Sequence, residues 1–220
     1  MNDHCVGAQR HSSRCVLTTL LLFIVLSGCA SQPLQPVDWR GKRVGLVIYP
    51  INEFAAIGHL GHLELINIFT EYGIDDPAVS IGEEVLAAVV ERCGAVASPV
   101  RLSMKAPTVR HGILSAPKIS TAEQNGVDIL VGIIWESGAG PLGTTPQHRV
   151  VDSNIYGYVR ELRSQQGPQL FCRQESKANP PTYDELVANK ATRLKQILAQ
   201  QRAACLIEFK AEILKFCPQT

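Results

Sequence analysis

Apolar positions along this chain fall into two periods. Arg43 to Tyr49 reads R-V-G-L-V-I-Y, an almost unbroken β-rich run closed by Pro50, the pattern of a strand buried on both faces. Val96 to Ser103 predicts a second strand, and Val127-Asp128-Ile129-Leu130-Val131-Gly132-Ile133-Ile134-Trp135 is the most strand-like run of all. Arg149 to Leu162 and Gln169 to Lys177 predict two more, joined by the turn residues Ser164 to Pro168. Helical spacing takes over elsewhere. Ser80-Ile81-Gly82-Glu83 has the form of a capping box, followed by Ile81, Val85, Leu86, Val89 and Val90 on one face and a stop at Gly94. The segment from Ile51 to Pro77 holds an apolar stretch, Leu63 to Phe69, that predicts a further helix. Another short one is expected around Ile119 to Asn125, after a basic, proline-spaced loop from Lys105 to Lys118.

The C-terminal element has the longest period. Thr182-Tyr183-Asp184-Glu185 repeats the capping-box form, and Leu186, Val187, Leu194, Ile197, Leu198, Leu206, Phe209, Ile213 and Leu214 keep helical spacing up to Pro218. Such a helix would measure roughly 50 Å, longer than a small domain is wide. A break at Gln200-Gln201, the weakest point of the stripe, or an overhang that packs on a partner would resolve the excess. These elements predict an α/β fold of the two-layer α+β kind: a mixed sheet of about five strands, with helices packed on it and a long helix at the end.

Before the first strand the pattern is different. Arg10 and Arg14, with His4 and His11, precede an apolar run from Val16 to Leu26, interrupted only by Thr18 and Thr19. That run is shorter than the roughly 20 residues a membrane span needs and suits a cleaved signal. It ends in Leu26-Ser27-Gly28-Cys29, which resembles the lipobox of bacterial lipoproteins. The resemblance implies diacylation of the Cys29 thiol, cleavage before Cys29 and acylation of the new amine. Ala30 stands where an aspartate would mark retention in the inner membrane, so the resemblance further implies the outer membrane, facing the periplasm. A secretory signal cut elsewhere and an uncleaved anchor are the alternatives. The expected organisation is a signal over 1–28, a short tether over 29–39 and one periplasmic domain over 40–220. Ala30 to Asp38 is polar and proline-containing, and fully extended it reaches about 30 Å.

Charge adds little. The signal removes Arg10 and Arg14 from 21 basic residues and Asp3 from 20 acidic ones, so the mature chain is formally neutral and nothing suggests nucleic acid as a partner. Of seven cysteines, Cys5 and Cys15 leave with the signal and Cys29 takes lipid, so Cys93, Cys172, Cys205 and Cys217 remain. Four cysteines in an oxidising compartment permit two disulfides in three connectivities. On one unbroken helix Cys205 and Cys217 would lie roughly 18 Å apart, too far to bridge, so Cys172 or Cys93 is expected to partner at least one of them. Four small buried hydrophobes are the alternative. No C-x-x-C spacing points to zinc.

A second resemblance rests on Lys42-Arg43-Val44-Gly45-Leu46-Val47 soon after a lipobox, a helix ending in Cys93-Gly94, and an alanine-containing helix leading into Gly126-Val127-Asp128-Ile129-Leu130-Val131-Gly132. This is similar to the penicillin-binding-protein activator lipoproteins, the curli-secretion lipoprotein and the N-terminal domain of the Tol β-propeller protein. It implies a fold and an envelope-assembly role, and supplies no catalytic residue. The short tether departs from the long one typical of the penicillin-binding-protein activators.

Candidate chemistry is sparse. Gly138-Ala139-Gly140-Pro141-Leu142-Gly143 spells G-x-G-x-x-G, but Pro141 and Pro146 deny it the helix a dinucleotide fingerprint requires, so a glycine-rich loop between antiparallel strands is expected. His59 and His62 would share a face of a helix, with Glu64 pointing elsewhere. Gly58 and Gly61 weaken that helix, and no metal is expected. Asp75-Asp76 reads as a turn before Pro77, and Glu83-Glu84 as first-turn helix residues. No nucleophile motif and no cofactor motif follow the signal. The function expected is that of a membrane-anchored, non-catalytic accessory or assembly factor of a cell-envelope complex, with envelope proteins or a second copy meeting the C-terminal helix. The alternatives are a small-ligand-binding module built on Gly138 to Gly143 with Tyr156 and Tyr158, and a hydrolase assembled from distant residues.

Overall fold

The five expected strands lie side by side in one mixed sheet of the computed structural model, which describes residues 38–49, 54–57, 63–66, 72–74, 76–105, 126–142 and 145–217. At 54–57, 63–66 and 145–146 the description is of the backbone. The strands are β1 (Arg43–Ile48), β4 (Val96–Ser103), β5 (Ile129–Leu142), β6 (Thr145–Glu161) and β7 (Gln169–Glu175). Two short strands, β2 (Phe54–Ile57) and β3 (Leu63–Ile66), complete the sheet. They replace the helix expected within 51–77: β2 and β3 pair antiparallel, and β2 runs parallel to β5 at Gly138 and Ala139. Four-residue strands carry too short a pattern to separate from a helical turn. The helix expected at 119–125 lies outside the described residues.

β1 is flanked by β4 and β5, both parallel to it, and its burial across Val44 to Val47 agrees with that central place. β5, β6 and β7 form an antiparallel meander, with Ile134 opposite Tyr156 and Tyr156 opposite Phe171. Gly138 to Leu142, expected as a loop, continues strand β5, because the β5–β6 ladder carries on through Pro141 opposite Arg149.

Two helices, α1 (Pro77–Cys93) and α2 (Tyr183–Phe216), pack on one face. α1 starts four residues earlier than a cap at Ser80 would place it. Pro77 occupies the first turn, where its missing N–H costs nothing, and Asp76 caps it by accepting from the Ala78 amide at 2.9 Å. Ser80 therefore lies inside the helix and donates to the Pro77 carbonyl at 3.0 Å. Gly94 ends α1 at φ 69°, a left-handed turn that glycine adopts without strain. Trp39, Leu46, Ile81, Val85, Ile129, Ile133, Ile155, Leu198 and Phe209 belong to the core between helices and sheet. On the other face Val47, Tyr49, Leu130, Ile134 and Tyr158 form a second, smaller cluster, in which the Tyr49 and Tyr158 hydroxyls share a 2.9 Å hydrogen bond.

α2 carries the expected capping box, with the Thr182 hydroxyl accepting from the Glu185 amide and the Glu185 carboxylate accepting from the Thr182 amide. It does not break at Gln200-Gln201. The break comes at Ala188 to Ala191, where Asn189, Lys190 and Ala191 have φ between 51° and 56°. Leu186, ahead of the break, and Ala191, at its end, are both buried. Burying a leucine contributes about 1.5–3 kcal/mol, which offsets part of the roughly 1–2 kcal/mol that each left-handed residue other than glycine costs.

Gln201 has the opposite role to a break point. It is buried, donates to the Val151 carbonyl at 2.9 Å and accepts from the Ser153 hydroxyl at 2.6 Å, so it fixes α2 on β6. Gln201→Ala would remove two buried hydrogen bonds between α2 and β6, although the Val151 carbonyl keeps the Ser176 amide and the Ser153 hydroxyl keeps Ser137, and is expected to lower the unfolding free energy by about 1–3 kcal/mol in urea titration. An unchanged midpoint and slope would contradict this role.

Candidate functional site

Cys93, Cys172, Cys205 and Cys217, the four cysteines among the described residues, are all paired. Cys93, the last residue of α1, joins Cys217 at the end of α2, with Cα atoms 5.0 Å apart. Cys172 on β7 joins Cys205 in the middle of α2, with Cα atoms 5.5 Å apart. Each half-cystine of α2 thus pairs away from its own helix, in line with the helical-rise argument. Cys29 itself lies outside the described residues.

Ion pairs hold α2 beside α1. Glu84 accepts from Arg202 at 2.6 Å and from Lys210 at 3.2 Å, while Glu83 receives two hydrogen bonds from Arg101 on β4. Neither glutamate sits in the first turn, since α1 begins at Pro77. Partial burial pushes the Glu84 carboxyl up, but Lys210 and Arg202 outweigh it and hold it below the ordinary carboxylate range. Glu161 behaves likewise: burial raises it, and the Lys42 ammonium and Ser164 hydroxyl bring it down.

A carboxylate lowered on folding stabilises the fold fully above its unfolded pKa of about 4.3, and that contribution is lost as pH falls through the lower folded value. Lys42→Met is therefore expected to lower the melting temperature at neutral pH, with a deficit that shrinks as pH falls below about 4. A deficit constant with pH would contradict the pairing.

The structure separates the residues grouped for ligand binding. Tyr158 is fully buried against Tyr49, and burial, followed by Tyr49, pushes its phenol far above the ordinary range. Tyr156 stacks on the half-exposed Phe171, ring centroids 5.2 Å apart, on the face of the sheet away from the helices. Gly138 to Leu142 lies within strand β5, and Gly143 is outside the described residues. His59 and His62 are also outside them, and Glu64 falls in β3, so the helix that would have aligned the three is absent from 63–66. No group of three or more metal-ligating side chains occurs among the described residues.

An opening not anticipated from the sequence lies between the end of the β5–β6 hairpin and the start of α2. It measures about 780 Å³ and is lined by Leu142, His148, Asn179, Pro181, Glu185 and Arg193 among others. Its carboxylate is committed: Glu185 caps α2, and hydrogen bonds from Thr182 hold it low, with His148 and Arg193 adding to the effect. Only the loop signal Asn179-Pro180-Pro181 hints at this opening in the sequence.

No protein-family model matches the chain, and no curated protein matches it. Three solved structures are similar over most of their length. One is a hypothetical protein of Chlamydia trachomatis, 11% identical, covering 80% of this chain and 99% of its own, with a TM-score of 0.37. A putative neuraminyllactose-binding hemagglutinin homolog of Helicobacter pylori is 8% identical, covering 83% and 88%, with a TM-score of 0.38. A protein of Xanthomonas campestris is 11% identical, covering 84% and 89%, with a TM-score of 0.36. At these scores no role passes from them to this chain.

Proposed function

We propose that the chain is an exported lipoprotein, anchored through acyl groups on Cys29 to the periplasmic face of the outer membrane, and that its domain is a non-catalytic accessory or assembly factor of an envelope complex. The observation that carries this reading is the use of cysteine. Both disulfides, Cys93–Cys217 and Cys172–Cys205, suit an oxidising compartment, and together with Cys29 they account for every cysteine after the signal.

The pairing also supports a scaffold role, because it locks the long helix to the sheet and to α1. Chain geometry limits where the domain can act. A tether from Ala30 to Asp38 extends about 30 Å at most, so the root of the domain stays beside its own bilayer.

Photo-crosslinkers placed at exposed positions of the domain in living cells test the assembly role. Specific adducts with envelope proteins are expected. A domain that gives no adduct at any exposed position, and is monomeric when purified, would overturn the assembly role while leaving the anchor intact.

A further inference from the structure

Four large apolar side chains are about half exposed or more among the described residues: Val96, Phe171, Ile207 and Leu214, at 51%, 51%, 72% and 46%. Two of them, Ile207 and Leu214, lie on the last turns of α2. Ile207 and Leu214 lie one above the other on the outward face of α2, in a stripe with Ala203, Ala204 and Ala211 that contains no charge. Val96 begins β4 two residues after Gly94. Lys210 and Lys215 flank the stripe, each with a carboxylate partner on its own chain, Glu84 and Glu212. On the opposite flank Glu208 accepts from Gln174 at 3.2 Å.

The chain from Cys29 enters the domain at this same end. The Gly41 amide donates to the Gly94 carbonyl at 2.9 Å, and the amide of Val96 donates to Lys42. Next to Gly94, Cys93 is bonded to Cys217, three residues beyond Leu214. The tether is therefore rooted beside the end of α2 that carries the apolar stripe, and its reach of about 30 Å keeps that stripe near the bilayer.

We infer that the outward face of α2 from Ala203 to Leu214 is a lipid-facing surface, lying in the interfacial region of the bilayer that holds the anchor. This rests on the lipoprotein reading and names what covers the helix. An apolar stripe between lysines is the form interfacial helices take: the side chains of Ile207 and Leu214 enter the acyl boundary and the ammonium groups of Lys210 and Lys215 stay at headgroup level. Because those lysines are already paired, the contact is chiefly apolar and persists in high salt.

The test uses the full acylated protein reconstituted in vesicles of phosphatidylethanolamine and phosphatidylglycerol. A fluorescent amino acid replaces Ile207 in one preparation and Phe171, half exposed on the face of the sheet away from the helices, in a second. Lipids carrying a shallow nitroxide are expected to quench the probe at 207 several-fold more than the probe at 171, in low and high salt. With Leu214→Glu added, the excess at 207 is expected to fall toward the level at 171. Equal quenching at the two positions on acylated protein would overturn this inference alone. So would a probe at 207 shielded from both lipid and aqueous quenchers, which assigns the stripe to a protein or a second copy. A Cys29 that carries no acyl group in the mass spectrum would overturn the anchor and, with it, this surface.

Discussion

Replacing Cys29 by alanine is expected to yield a chain that keeps residues 1–28, carries no acyl group and leaves the outer-membrane fraction. In the proposed lipoprotein the thiol is both the acyl acceptor and the residue before which the chain is cut, so a single substitution would remove lipid and processing together. The uncut apolar run from Val16 to Leu26 then holds the precursor at the inner membrane. Supplying the chain from Ala30 onward behind an ordinary cleaved secretory signal separates the two effects. One acyl chain gives marginal binding and two or more give stable anchoring, so a domain without any is expected to fractionate as soluble protein, with a weak residual affinity for vesicles through Ile207 and Leu214. Fractionation with immunodetection reads both outcomes. Retention of the signal-swapped chain in the outer membrane would mean that something other than lipid holds it.

The second large effect concerns Cys93–Cys217. Its half-cystines are 124 residues apart in sequence, against 33 for Cys172–Cys205. On chain-entropy grounds closing the longer loop stabilises by about 5 kcal/mol and the shorter by about 3.5–4 kcal/mol, an appreciable share of the 5–15 kcal/mol typical of a domain. Cys93→Ala with Cys217→Ala is therefore expected to cost more than Cys172→Ala with Cys205→Ala, measured as unfolding free energy in denaturant. The first pair also fastens the end of α2 to the root of the tether, so its loss should free the last turns around Ile213 and Phe216 to hydrogen exchange. Equal exchange of those amides in the variant and the parent would contradict the stapling role.

Strands β1, β4, β5, β6 and β7 were legible because each is a run of at least six residues whose pattern admits one reading. Gly94 and the pair Thr182 and Glu185 were equally legible, since a left-handed stop and a reciprocal cap depend on neighbouring residues alone. The start of α1 was obscured by coincidence: Ser80 and Glu83 stand at capping-box spacing inside the helix, while the working cap, Asp76, lies just before a proline.

The hairpin of β2 and β3 was hidden because four-residue strands borrow their identity from the strand they join, here the far half of β5. The break at Ala188 to Ala191 was hidden for a different reason. Apolar spacing in α2 runs through it without a fault, so nothing in the pattern of residues marks the left-handed backbone at Asn189, Lys190 and Ala191. Gln201 misled in the same way, because a polar residue in an apolar stripe reads as a weakness until its partners on β6, Ser153 and the Val151 carbonyl, are known.

Site reasoning followed the same division. Helical rise alone excluded a Cys205–Cys217 bridge, but the choice among partners needed the sheet that brings β7 under the middle of α2 and the end of α1 beside its last turn. Tyr156 and Tyr158, grouped in the sequence for ligand binding, share a face of β6 and one apolar cluster but differ in exposure. Tyr158 is sealed beneath the smaller core, and Tyr156 stacks with Phe171 toward the strand's edge.

The proposed anchor turns on the first residue of the mature chain. Mass spectrometry of the N-terminal peptide, from protein extracted out of the outer membrane of a double-membraned bacterial host, tests it directly. The expected peptide begins at Cys29, carries a diacylglyceryl group on sulfur and has an acylated amine. A peptide that begins elsewhere, or an intact chain that retains residues 1–28 with a free Cys29 thiol, would contradict it.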